Sequence, residues 1–541
     1  MKVLKKLLCF IFSAVIAASA VLVTAGKPSA AYPGNVPIIY LHGEGSSVGT
    51  YDENGQFQRL DNMVIDKDKV VALLTENKDV FLKAFVTQNW TEVCAIIEDF
   101  MVEAYGDIAL GPDGMPTDGS VSGMVINETT VRNKYNSSDS TLDKYVFDYD
   151  WRLDPTDNME RLHDYAELLL KVTGSDKYAI VGRCEGACLA VTYWETYHDP
   201  RITDIVLYAS AYQGAMPIGE AFSGSLYVDS ESIERFIYEA DLNLNVEVTD
   251  SFTLTDDSLN AILKTASDLY GLDYACWAVN NVYEQIYNTV TPQVLRKTFA
   301  TFPGFWAMCD DQYYEKAKQV IFGGAEEEYA EMIKKIDNYH YNIMNRSDEI
   351  IQSALDSGVE VSNVVKYGLH SFPLSRESAV QSDQQCRVDR AGLGTTCTNV
   401  DETFSAEYVR EAVRKGNGSY ISPDLVIDAS TTMLKDTTWY IKNLHHQNFT
   451  NKIDPLFFEI INTQGMTVRT NEKYPQFLFF EKETEELHPL NSEEDKSAIE
   501  DYNEYSEENE NKVARFFSPL LKVLYKIITV ITKIFTLPAR A

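Results

Sequence analysis

Lys177-Tyr178-Ala179-Ile180-Val181-Gly182-Arg183-Cys184-Glu185-Gly186 decides the fold. An apolar run stops at a glycine, one reactive side chain follows, and a second glycine opens a helix-patterned stretch to Tyr197. Glycines two positions either side of Cys184 permit the strained strand-to-helix turn that lifts a nucleophile above a sheet. The pentapeptide alone occurs by chance; its strand–turn–helix setting gives it weight. The bland alternative makes Cys184 a buried, inert thiol, which is also the reading of Cys188 one helical turn later.

Working outward, Val36-Pro37-Ile38-Ile39-Tyr40-Leu41 reads as a buried strand opening into the turn His42-Gly43-Glu44-Gly45. Tyr145-Val146-Phe147-Asp148-Tyr149 is a second strand, and Leu162, Tyr165, Leu168, Leu169 and Val172 then recur at helical spacing. Further strands are expected at 205–209, 359–367 and 439–442. Strand and helix in alternation predict an α/β fold with a mostly parallel sheet. Residues 50–140 are polar, with one helical stretch around 93–105. Residues 211–357 read as helical and aromatic without strand alternation, an insertion suited to capping a site; a separate helical domain is the alternative.

The 541-residue chain is 45% hydrophobic, enough for a large core. Its formal charge of −34 argues against nucleic acid as a partner. Lys2, Lys5 and Lys6 precede an apolar run and small residues, so 1–31 reads as an export signal and the protein as secreted or extracytoplasmic. Of eight cysteines Cys9 lies in that signal, and the remaining seven cannot all pair within one chain. Cys386 and Cys397, in one polar loop, are the expected bridge. No cofactor and no metal site is expected.

His42-Gly43-Glu44 after the first strand fits an oxyanion loop. The backbone N–H groups of Glu44 and Glu185 would hold the charge of a tetrahedral intermediate. A tight glycine turn is the plain alternative.

Phe147-Asp148-Tyr149-Asp150-Trp151-Arg152-Leu153-Asp154-Pro155, the helix after it and the elbow at Cys184 resemble the lecithin:cholesterol acyltransferase family of lipases and acyltransferases. Ala209-Ser210-Ala211-Tyr212-Gln213-Gly214-Ala215 with Phe222-Ser223-Gly224 is similar to the stretch entering that family's cap, and 358–368 to the strand before its acid. The resemblance is strong over 145–225, fair over 358–385 and poor elsewhere. It implies an α/β-hydrolase fold with a helical cap insertion, acting on lipid-like esters. Two departures stand out: cysteine replaces serine, and the acid loop Gln381-Ser382-Asp383 lacks the usual glycines.

That fold carries nucleophile, acid and histidine in chain order. His446, just past the strand Trp439-Tyr440-Ile441-Lys442, is the preferred base, with His445 the close rival. Asp383 is the preferred acid, with Asp424 and Asp428 as rivals; turn capping is the plain reading of all three. Trp151 and Arg152 read as structural. The chemistry implied is acyl transfer through a thioester on Cys184, to water or to an alcohol. Where the Glu44 and Glu185 carboxylates point is open, and either would oppose thiol ionisation if it faced the sulfur.

The organisation expected is a signal (1–31), a core in two parts (32–210 and 358–480) around the insertion (211–357), an acidic linker (481–510) and an added C-terminal amphipathic helix (511–541). The linker holds thirteen acidic residues against Lys482 and Lys496. In the tail Lys522, Lys526 and Lys533 fall within roughly 40° on a helix, leaving a wide apolar face suited to a membrane surface. Docking onto the protein itself is the alternative. Two other functions stay open: a non-catalytic surface protein on a hydrolase scaffold, and a thiol peptidase.

Overall fold

A computed structural model describes residues 36–490 apart from 46, 54–55, 61–72, 74–75, 88, 124–126, 240–244, 250–251, 256–270, 449 and 483. The export signal and the C-terminal helix lie outside the described residues, as does the linker from 491 onward. No helix among the described residues is long and apolar enough to cross a membrane.

Eight strands form the central sheet: β1 (Ile38–Leu41), β2 (Tyr145–Phe147), β3 (Tyr178–Arg183), β4 (Ile202–Tyr208), β5 (Glu360–Tyr367), β6 (Thr438–Lys442), β7 (Phe477–Glu481) and β8 (Glu486–Pro489). Their order is β8-β7-β6-β5-β4-β3-β1-β2. Every neighbouring pair is parallel except β7 with β8. The molecule is therefore α/β with a mostly parallel sheet, compatible with the α/β-hydrolase arrangement.

Both faces of the sheet are buried, as parallel strands require. Ile180, Leu207, Val365 and Tyr440 point to one face, packed with Leu162 and Tyr165 of α1 (Met159–Thr173), Leu189 of α2 (Glu185–Tyr197) and Ile350 of α3 (Ser347–Asp356). Val181, Val206, Val364 and Ile441 alternate with them and meet Leu456, Phe457 and Ile460 of α4 (Asp454–Asn462). Trp151 is 1% exposed, and Arg152, fully buried, is paired in a two-pronged fashion with Asp150 (3.0 and 2.8 Å). Both thus serve the frame.

Three expectations are corrected. The block 211–357 carries an antiparallel pair, Asn245–Thr249 with Phe252–Thr255, besides its helices. The polar segment 50–140 contains a small three-stranded sheet and the helices Lys78–Thr87 and Glu128–Asn136 beside Thr91–Tyr105. The sheet also runs on into the acidic segment. Glu481 ends β7 and Glu486 begins β8, because Leu487 and Phe480 pair across the hairpin and acidic side chains occupy its exposed positions.

Strand order reverses between β1 and β3, whose neighbours lie on opposite sides. In open parallel sheets such a point leaves a crevice beyond the strands' carboxyl ends, where the loops after the two strands diverge. Those loops begin at His42 and Cys184.

Candidate active site

The turn at Cys184 is built by its glycines. A Cβ at Gly182 would lie 2.5 Å from the Gly186 carbonyl oxygen, and one at Gly186 would overlap the Leu41 carbonyl. Cys184 itself takes φ 52° and ψ −121°, a conformation costing a side-chain-bearing residue on the order of 1–3 kcal/mol. Three backbone bonds hold it there: Cys184 N–H to Tyr208 O (3.0 Å), and Ala187 and Ala211 N–H to Cys184 O (3.1 and 3.2 Å). The residue sits at the N-terminus of α2, where the helix dipole favours a thiolate.

Asp383 and His446 arrive from the far half of the chain. Leu369 and Ser382 exchange backbone hydrogen bonds (3.1 and 3.0 Å), which folds the segment after β5 back over the strand ends. The Asp383 Oδ1 accepts from the N–H groups of Gln385 (3.1 Å) and Cys386 (2.7 Å). Its Oδ2 accepts from His446 Nδ1 at 2.7 Å. His446 N–H also donates to Asp383 O (2.8 Å), so backbone and side chain lock the pair together. With Nδ1 committed as donor, Nε2 remains open to the Cys184 thiol, whose charge interacts with that of His446. Cys184, Asp383 and His446, named from separate segments of the sequence, thus converge; they are 3%, 0% and 2% exposed.

The rivals do not reach the thiol. His445 Nδ1 meets Gln384 Oε1 and its Nε2 meets Lys482 Nζ, both at 3.0 Å. Burial, Lys482 and Lys366 push its imidazole down to about 3, so it is neutral. Asp424 takes Tyr367 Oη (3.2 Å) and Lys442 Nζ (3.1 Å), and Asp428 caps Ser430 N–H (2.9 Å) while accepting from Tyr408 Oη (2.8 Å).

Electrostatics at the site pull two ways. Burial works against charge on His446, but the Asp383 carboxylate and the Cys184 sulfur outweigh it and raise the imidazole to about 9. Burial likewise opposes ionisation of Asp383, yet His446, Lys366 and the Cys386 N–H hold the acid below its usual range. The Cys184 thiol is pushed well above the ordinary value by the Cys386 thiol, by burial and by Glu44, with His446 opposing. The orientation of the two glutamates is now defined. Glu44 turns toward the nucleophile, and the thiol donates to its Oε2 at 3.2 Å. Glu185 turns inward, fully buried against Gly304, where burial, Glu44 and Asp150 raise its carboxyl well above the usual range. Gly43 packs so closely that a Cβ there would lie 2.9 Å from that of Cys184.

Cys386 corrects another expectation. Cys386 and Cys397 are both free thiols. The turn that sends the Cys386 N–H to Asp383 also carries its side chain to the site, where its thiol influences that of Cys184. Below lie two cations that motif reading did not single out. Arg183 donates to His446 O (2.7 Å), and Lys366 donates to the carbonyls of His445 (2.9 Å) and His446 (3.2 Å). Arg183 could have been suspected from its place inside the elbow motif, and Cys386 from its spacing of three after the candidate acid.

No family model and no curated protein matches the chain. Among solved structures, one described as the crystal structure of the Tle4-Tli4 complex is similar at 12% identity, covering 62% of this chain and 76% of that one, with a TM-score of 0.23. At that score the likeness carries no argument, and the α/β assignment rests on the sheet itself.

Proposed function

We propose that the protein is an α/β-hydrolase acting on lipid-like esters, as hydrolase or acyltransferase, through Cys184, His446 and Asp383. The observation that carries the reading is a thiol on a positive-φ elbow, electrostatically coupled to an imidazole whose Nδ1 donates to a buried carboxylate at 2.7 Å. His446 takes the thiol proton as the sulfur attacks the ester carbonyl. The N–H groups of Glu44 and Glu185 hold the oxyanion, the imidazolium protonates the departing alcohol, and water or a second alcohol then cleaves the thioester. The resemblance to lecithin:cholesterol acyltransferase-like enzymes supports the substrate class. In the same proposal, 1–31 exports the chain, 211–357 caps the site, and 511–541 holds the enzyme at a membrane surface. The test is hydrolysis of medium-chain p-nitrophenyl esters by the purified protein and by Cys184→Ala. Activity sensitive to iodoacetamide and absent from the variant is expected; full activity in the variant refutes the mechanism.

One observation favours a second reading, a non-catalytic binding protein on a hydrolase scaffold. The thiol is 3% exposed and faces the Glu44 carboxylate, both of which oppose its ionisation. Failure of the folded protein to react with thiol reagents, with ligand binding unaffected by His446→Gln, would select that reading.

A further inference from the structure

Glu44 stands in the loop after β1 with its Oε2 3.2 Å from the Cys184 sulfur. The carboxylate is half-buried, and among the described residues it has no basic partner. The base near it in sequence is turned elsewhere: His42 meets Asp148 Oδ1 (3.2 Å) and the Gly43 carbonyl, and its ring stacks on Tyr149. The cations below the site are directed at carbonyls of the His446 loop, Arg183 at His446 O (2.7 Å) and Lys366 at His445 O (2.9 Å). Next to the nucleophile in sequence, Glu185 is fully buried, and neither of its carboxyl oxygens has a hydrogen-bond partner among the described residues. A carboxylate beside a sulfur that must become negative opposes the chemistry, and a positive group brought by the substrate removes that opposition.

We propose, on the footing of the ester chemistry above, that Glu44 receives an ammonium group carried by the substrate beside the reacting carbonyl, so that the preferred substrates are esters of α-amino acids. Covalent geometry sets the fit. An α-nitrogen lies about 2.5 Å from its carbonyl carbon, and reacting atoms approach to about 3–3.5 Å, which confines the ammonium within roughly 6 Å of the sulfur. Glu44 Oε2, at 3.2 Å from that sulfur, is in reach of it. A cation at the far end of the acyl chain or on a long alcohol has no such confinement. The thiol proton passes to His446 and on to the leaving alcohol, the acyl group passes to sulfur, and the ammonium keeps its protons throughout. Paired with the ammonium, Glu44 ceases to repel the developing thiolate; with a neutral acyl group the repulsion persists. The one carboxylate thereby favours the cationic ester and resists the neutral one.

The test compares p-nitrophenyl octanoate with p-nitrophenyl 2-aminooctanoate at about pH 6, below the α-amine's value of about 7.7. The full-length protein should favour the amino ester in kcat/KM by about tenfold or more beyond the ratio of the uncatalysed rates, and Glu44→Gln should lose about that factor from the preference. No preference in the parent, or an equal one in the variant, overturns the assignment. Circular dichroism verifies folding of the variant; should it not fold, the presence or absence of the preference in the parent decides. If neither ester is hydrolysed, the ester chemistry fails, and the ammonium site is judged separately with thiol reagents. Cys184 should then react faster with 2-aminoethyl methanethiosulfonate than with its neutral propyl counterpart, read by peptide mass, with the ratio falling about tenfold in Glu44→Gln. An unchanged ratio overturns the site.

Discussion

Replacing Glu44 by glutamine removes one negative charge 3.2 Å from the Cys184 sulfur while preserving shape and leaving an amide oxygen that can still accept from the thiol. At that separation the repulsion between carboxylate and thiolate is about 1 kcal/mol at the dielectric of water and about 5 kcal/mol at an effective value near 20. Glu44 is half-buried, so water screens part of this. A shift of one to two units is the working figure, since about 1.4 kcal/mol corresponds to one unit. The Glu44→Gln thiol should titrate lower by that amount. Thiolate nucleophilicity falls as basicity falls, with a Brønsted slope near 0.45, so the rate at fixed pH rises by about threefold per unit rather than tenfold. The assay is the pH profile of iodoacetamide alkylation at Cys184, quantified on its peptide. Access to the buried thiol is common to both proteins and cancels in the comparison. Alkylation at neutral pH should accelerate about three- to tenfold with the midpoint displaced downward. An unchanged midpoint, or one displaced upward, refutes the assignment of Glu44 as a brake on the nucleophile.

Asp383→Asn should lower the ester kcat by on the order of 10⁴-fold with little change in KM, because the amide favours the imidazole tautomer that presents N–H to the sulfur; an activity within tenfold of the parent counts against the triad. Gly186→Ala should cost about 3 kcal/mol or more, since the new methyl overlaps the Leu41 carbonyl, and an unaltered thermal melt would contradict the packing described. His370 is buried, and although burial opposes its charge, Asp401 and Glu239 raise it to about 9. Its contribution to stability is complete below the unfolded value near 6.5 and is lost as pH climbs through about 9. His370→Gln should therefore lower Tm more at pH 6 than at pH 9.5, and the reverse ordering would refute the charged network.

Where periodicity and turn chemistry agree, the sequence was legible. The six strands read from apolar runs lie in the sheet, and the two glycines of the elbow are each demanded by a named backbone oxygen. The late histidine followed from chain order, since few histidines lie beyond β5. Other features were hidden because their meaning is tertiary. β8 sits in a stretch too acidic to suggest a strand, and only its pairing with β7 across the hairpin reveals that the acids face outward. Cys386 looked like a partner for its neighbour in sequence, whereas a turn at Asp383 aims it elsewhere. The direction of a carboxylate such as Glu44 depends on rotamers that no spacing encodes.

The hairpin that closes the sheet also guards it. Without Glu486–Pro489, β7 would offer the bare backbone of Phe477–Glu481, four of whose five side chains are apolar, as a template on which a second chain could add a strand. The strand lying there instead carries Glu486 and ends in Pro489, which has no N–H to offer an incoming neighbour. A truncation after residue 485 should accordingly turn a monomer-compatible rim into an adhesive one, and the protein would self-associate before it lost its core.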